Sequence, residues 1–118
     1  MEVNLKKLLF LLILFSSLSL FAVKPVFYFF HSENCPHCTK AKPFIEELEK
    51  KYHQVSFKKM EVGRNLDNRT VYKEKIASLK IESASVPLFV FNKKYVIGFN
   101  KTYKKKIESL IKDGLKQP

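Results

Sequence analysis

The stretch Val26-Phe27-Tyr28-Phe29-Phe30-His31-Ser32-Glu33-Asn34-Cys35-Pro36-His37-Cys38 joins an apolar run to the only two cysteines of the chain. The run Val26–Phe30 has no polar member and suits a strand buried on both faces. After it the period changes. Ala41, Phe44, Ile45, Leu48 and Tyr52 fall on one helical face, while Glu46, Glu47 and Glu49 fall on the other. Pro43 removes one backbone donor inside that helix and predicts a kink there. Cys35 and Cys38 therefore stand where a strand hands over to a helix. Two thiols at that spacing can close into a disulfide and reopen. As a staple, such a disulfide constrains almost no chain, so the pair reads as redox chemistry rather than reinforcement.

Working outward towards the N-terminus, Lys6 and Lys7 precede an apolar stretch from Leu8 to Val23, which Lys24-Pro25 closes. A short basic head, an apolar middle and small residues before Val23 form the layout of a secretory signal, with Ala22 as its last residue. An uncleaved membrane anchor is the competing reading, although the stretch falls short of the roughly 20 residues of a comfortable span. The division expected is residues 1–22 as signal or anchor and 23–118 as one domain. Either way the domain faces outward, because Lys6 and Lys7 stay on the cytoplasmic side. Its expected place is an oxidising compartment, the periplasm or the extracytoplasmic face of the membrane.

Towards the C-terminus, Val55 to Val62 reads as a second strand and Gly63-Arg64-Asn65 as a turn. Asp67 or Asn68 is expected to cap a helix running to Leu79, with Tyr72, Ile76 and Leu79 inward. Pro87 to Phe91 reads as a strand that opens on proline, tolerated at that end of a strand. Asn92-Lys93-Lys94 connects it to Tyr95-Val96-Ile97-Gly98, a hairpin. Tyr103, Ile107, Leu110 and Ile111 form the stripe of a last helix, with Gly114 as its expected terminator. The order β-α-β-α-β-β-α predicts an α/β domain in which a central four-stranded mixed sheet is flanked by helices.

The 118 residues carry a formal net charge of +11. Solvated surface is the default reading of scattered lysines. The denser group Lys101 to Lys106 admits an affinity for acidic clients or anionic headgroups. Nucleic acid is not an expected partner, since no recognition motif accompanies the charge. No metal is expected either: His31, His37 and His53 lack paired-ligand spacing around the cysteines. Covalent haem is excluded because Thr39, not histidine, follows the second cysteine.

Taken together, Cys35-Pro36-His37-Cys38 after a buried strand, Pro43, Val86-Pro87 opening the third strand and Gly98 closing the hairpin resemble the thioredoxin superfamily. Ser85-Val86-Pro87 and Tyr95–Asn100 are similar to glutaredoxin-sized members, and the Pro-His dipeptide resembles DsbA-type periplasmic oxidases. The resemblance implies a thioredoxin-like fold and a thiol–disulfide oxidoreductase. It implies a cis peptide before Pro87, with Val86 and Pro87 holding an extended client segment. It also implies that Cys35 forms a mixed disulfide with client thiols or disulfides and that Cys38 resolves it. One departure is Phe29, which stands where many thioredoxins place a buried acid.

From the residues, a thiolate at a helix N-terminus is favoured by unpaired N–H groups and the helix dipole, so the Cys35 pKa is expected to fall. His37 tunes it further, and Pro36 stiffens the first turn. A stabilised thiolate makes the disulfide more oxidising. His31 reads as a packed aromatic and His53 as surface. No cofactor is implied, a monomer is expected, and a membrane redox partner is compatible with the reading. The direction of electron flow stays open. Two alternatives remain beside this reading: a glutaredoxin-like glutathione-dependent or iron–sulfur protein, and a non-catalytic binding module on the same fold.

Overall fold

Phenylalanine decides the architecture. In the computed structural model, which describes residues 4–18 and 23–116, strand β1 (Val26–His31) sends Phe27 and Phe29 to one side and Phe30 to the other, all essentially buried. Strand β3 (Leu88–Phe91) does the same with Phe89 and Phe91 against Leu88 and Val90. Strands with no polar side must lie at the centre of a sheet. The sheet order is β2-β1-β3-β4, with β2 (Ser56–Glu61) and β4 (Lys94–Ile97) at the edges. β1 runs parallel to β2 and antiparallel to β3, and β3–β4 is an antiparallel hairpin.

Two helices cover one face. α2 (Pro36–Lys51) and α4 (Tyr103–Lys116) bury Ala41, Phe44, Ile45, Leu48, Ile107, Leu110 and Ile111 against Phe27, Phe29, Phe89 and Phe91. α3 (Leu66–Ser78) covers the other face with the half-buried Val71, Tyr72 and Ile76 on Phe30, Leu88 and Val90. The four-stranded mixed sheet flanked by helices is the expected architecture. Tyr52 and Lys51 tie the end of α2 to α4: the Tyr52 hydroxyl donates to Glu108 Oε2 at 2.6 Å, and Lys51 Nζ to the same oxygen at 2.7 Å. Helix α1 (Leu5–Leu18) precedes the sheet, with Leu5, Leu8, Leu9, Phe10 and Leu11 exposed. No helix among the described residues is long and apolar enough to cross a membrane. The expected signal boundary at Ala22 lies outside the described residues.

Several local expectations change. Asn65, not Asp67 or Asn68, caps α3, its side chain accepting from Asn68 N. The hairpin turn is two residues, Asn92-Lys93, because Lys94 pairs with Phe91; Asn92 supplies a left-handed φ of 56°. β3 starts at Leu88, one residue after Pro87. As expected, α2 holds Pro43 inside it; it ends at Lys51, with Tyr52 as its C-cap. Gly114 does not end α4, which runs on to Lys116. A Cβ at Gly114 would overlap the Phe91 ring, so the glycine lets the helix lie close on the sheet.

Candidate active site

The site is built where β1 leaves the sheet and α2 begins. Cys35 is the N-cap of α2 in extended backbone, and Pro36 occupies the first turn, where a missing N–H costs nothing. Cys35 and Cys38 are joined by a disulfide, with Cα atoms 5.2 Å apart. The backbone N–H of Cys38 donates to Cys35 Sγ at 3.1 Å. A sulfur thus fills the capping place that serine or aspartate takes in other helices. The cap is half of the pair's asymmetry. Exposure is the other half: Cys35 is partly exposed and Cys38 is 0% exposed.

Across from the sulfur lies the segment that enters β3. The Val86 carbonyl oxygen is 3.7 Å from Cys35 Sγ. In the disulfide that sulfur carries no proton, so this is a contact; a Cys35 thiol would have an acceptor there. The Val86–Pro87 peptide is cis, and Pro87 is fully buried. The Pro87 carbonyl accepts from Gly98 N at 2.9 Å, where Gly98 has a left-handed φ of 88°. Cys35, Cys38, Val86 and Pro87 therefore meet at one end of the sheet.

His37 and Pro36 lie on the exposed first turn of α2. The structure shows no hydrogen bond from His37 to either sulfur. His37 instead lines a cleft of about 440 Å³ with Lys40, Pro43, Phe44, Glu47, Phe99, Asn100, Lys101 and Lys104. Sequence reading missed this cleft, because its members come from α2 and from the entry to α4. A larger cleft of about 620 Å³, lined by Pro25 and Phe91 among others, lies at the far end of β3, away from the disulfide.

His31 ends β1, its ring 5.0 Å from Phe29, with Nδ1 buried and unpartnered. Burial, and then the Lys42 charge, lower its pKa against an opposing pull from Glu61. The Glu61 carboxylate accepts from the backbone N–H groups of Gly63, Arg64 and Asn65 and is held below its ordinary pKa chiefly by the Arg64 N–H. It locks the corner between β2 and α3. A carboxylate just before a turn was the one sequence signal for it. Among the described residues, no three His, Cys, Asp or Glu side chains converge as a metal site would need.

No protein-family model matches the sequence, and no curated protein matches it significantly. Solved structures do match. Thioredoxin O1 from Arabidopsis thaliana in the oxidised state is 26% identical, with a TM-score of 0.58 over 76% of that chain and 75% of this one. A chain from work on thiol resolution in yeast mitochondrial 1-Cys peroxiredoxin via glutathione/thioredoxin systems is 25% identical, with a TM-score of 0.59 over 78% of it and 76% of this chain. Mitochondrial thioredoxin 3 from Saccharomyces cerevisiae, oxidised, has a TM-score of 0.57 at 23% identity over 89% of that chain and 86% of this one. The shared sheet and helices are the thioredoxin fold. With that fold and a Cys35–Cys38 disulfide at the head of α2, the chain is a protein of the thioredoxin superfamily.

Proposed function

We propose that the chain is an exported thiol–disulfide oxidoreductase that exchanges disulfides with client proteins through Cys35. The observation that carries this is the asymmetry of the disulfide. Cys35 is reachable and receives the Cys38 N–H, while Cys38 is sealed from solvent. A client thiolate attacks Cys35 Sγ. The Cys35–Cys38 bond breaks, its electron pair leaves on Cys38, and a client–Cys35 mixed disulfide forms. A second client thiolate then attacks the client sulfur of that bond. A client disulfide forms and Cys35 departs as a thiolate, held by the Cys38 N–H and the start of α2. Two electrons pass from client to protein, and the two client protons go to solvent or to the new thiols. The reverse sequence reduces a client disulfide, with Cys38 resolving.

His37 serves as a tuner of the Cys35 thiolate, from its place between the thiols. Val86 stands two residues ahead of β3 and takes no part in the sheet ladder, so its carbonyl beside the sulfur suits a client backbone N–H. Export is supported by Lys6 and Lys7 ahead of exposed apolar side chains in α1.

The deciding experiment is the reduction potential of Cys35–Cys38 in the full chain against glutathione buffers. A value near about −120 mV makes the protein a disulfide donor, and one near about −270 mV makes it a reductant. Absence of a reversible two-electron transition overturns the oxidoreductase reading and leaves a binding module.

A further inference from the structure

The cleft that begins at His37 has an apolar floor and an unbalanced rim. Phe44 and Phe99 form the floor with ring centroids 6.0 Å apart, beside Pro43. Lys40, Lys101 and Lys104 stand on the rim against one carboxylate, Glu47. Lys104 Nζ lies 5.6 Å from the centre of the Phe44 ring. Among the described residues none of these three lysines is in an ion pair. A ligand that brings a large apolar group to the floor and carboxylates to the rim gains on both counts.

We propose that this cleft sets client specificity: it receives an apolar side chain flanked by acidic residues, on the same client chain as the cysteine that reacts with Cys35. The proposal rests on the oxidoreductase reading above. Its reach follows from helix geometry. At 1.5 Å per residue, Phe44 lies roughly 13 Å along α2 from Cys35. Extended chain covers that in about four residues. The selected side chain therefore sits about three to five residues from the client cysteine. A volume of about 440 Å³ falls within the range of ligand sites. The cleft is concave and starts inside the Cys-Pro-His-Cys motif, which favours a protruding client segment over a flat lipid surface.

The test uses the oxidised full chain and three cysteine peptides of equal length. Four residues from the cysteine they carry Glu-Phe-Glu, Lys-Phe-Lys or Glu-Ser-Glu. Rates of reduction are read by acid quench, alkylation and mass, with dithiothreitol as a thiol that does not reach the cleft. The Glu-Phe-Glu peptide is expected to react about tenfold faster than Lys-Phe-Lys, and faster than Glu-Ser-Glu. In Lys40→Glu/Lys104→Glu the acidic-to-basic rate ratio falls to about one or inverts. In Lys58→Glu/Lys73→Glu, an equal charge change on the α3 side of the sheet, the ratio persists. Equal rates for all three peptides overturn the proposal, as does a ratio lost alike in both double variants, since overall charge then explains it. If Lys40→Glu/Lys104→Glu abolishes binding to phosphatidylglycerol vesicles but spares the peptide ratio, the cleft is a lipid site and the proposal falls. A disulfide that dithiothreitol cannot reversibly reduce fails at the earlier step and overturns the oxidoreductase reading as well.

Discussion

The backbone N–H of Cys38 points at the sulfur of Cys35 from 3.1 Å, so the reachable cysteine caps the helix by accepting from the buried one. Opening the disulfide leaves that N–H in place for a thiolate. In the reduced protein, iodoacetamide is therefore expected to modify Cys35 well before Cys38, which has no exposed surface. The roles have a second signature. Cys38→Ala accumulates mixed disulfides with client proteins on non-reducing gels, and Cys35→Ala does not. Equal trapping by both variants, or by neither, defeats the assignment.

Glu108 tests the tie between α2 and α4. Hydrogen bonds from Lys51 and Tyr52 hold its carboxyl below its ordinary value of 4.5, while burial and Glu108 together push the Tyr52 phenol up to about 12. A depressed carboxylate stabilises the fold above its unfolded pKa and loses that contribution as pH falls through its folded value. Glu108→Gln is expected to cost about 1 kcal/mol at pH 7. The gap should close in urea titrations as pH drops below 4.5. A gap independent of pH contradicts the charge argument. Tyr52 works in the other direction: its neutral phenol contributes at neutral pH, and that contribution is lost as pH rises through about 12.

His31 gives the same pH dependence as Glu108, from burial rather than from hydrogen bonds. Burial and Lys42 lower its pKa from 6.5, so below that pH the unfolded chain takes up a proton that the fold resists. Stability falls over that window. His31→Phe removes the unpartnered Nδ1 and keeps a ring beside Phe29. It is expected to match or exceed the parent at pH 7, and to gain about 1 kcal/mol on it by pH 5. Parallel loss of stability in both proteins on acidification argues against His31 as the source.

Gly114 faces Phe91 too closely for any β-carbon. Gly114→Ala gains about 1 kcal/mol of helix propensity but overpacks the core by about 1–3 kcal/mol. A net destabilisation is expected, with the melting temperature falling by about 4–8 °C for each kcal/mol. Phe91→Leu in the same chain should recover part of it, because the two positions couple by contact. An alanine variant as stable as the parent rules the close approach out.

How much of this was legible in the sequence depends on where each signal comes from. α2 and α4 announced themselves because each buries a single stripe, as with Ala41, Phe44, Ile45 and Leu48. β1 and β3 were legible because large apolar side chains on both faces leave no other place than the sheet centre. α3 was harder: none of its residues is fully buried. Asn65, Asp67 and Asn68 are all cap formers, and the choice fell to Asn65 in the corner that Glu61 holds from outside the helix. Gly114 looked like a helix end because that is where glycine is commonly found, and only its neighbour Phe91 explains it. The cysteines were plain from their spacing. The cleft beside them was not, because Lys40 and Lys104 approach each other only after two helices pack.

Cys38 is shut away while Cys35 is not, and this gives the molecule a single door for electrons. Under the proposed chemistry, whatever hands electrons in and whatever takes them out must use the same sulfur, one after the other. A client and a recharging partner then compete instead of meeting on the protein. Under the proposed chemistry turnover becomes double displacement, with parallel lines in a double-reciprocal plot and no ternary complex at any concentration. An excess of either partner throttles the other, so the protein's output is set by the ratio of its two partners rather than by the abundance of either.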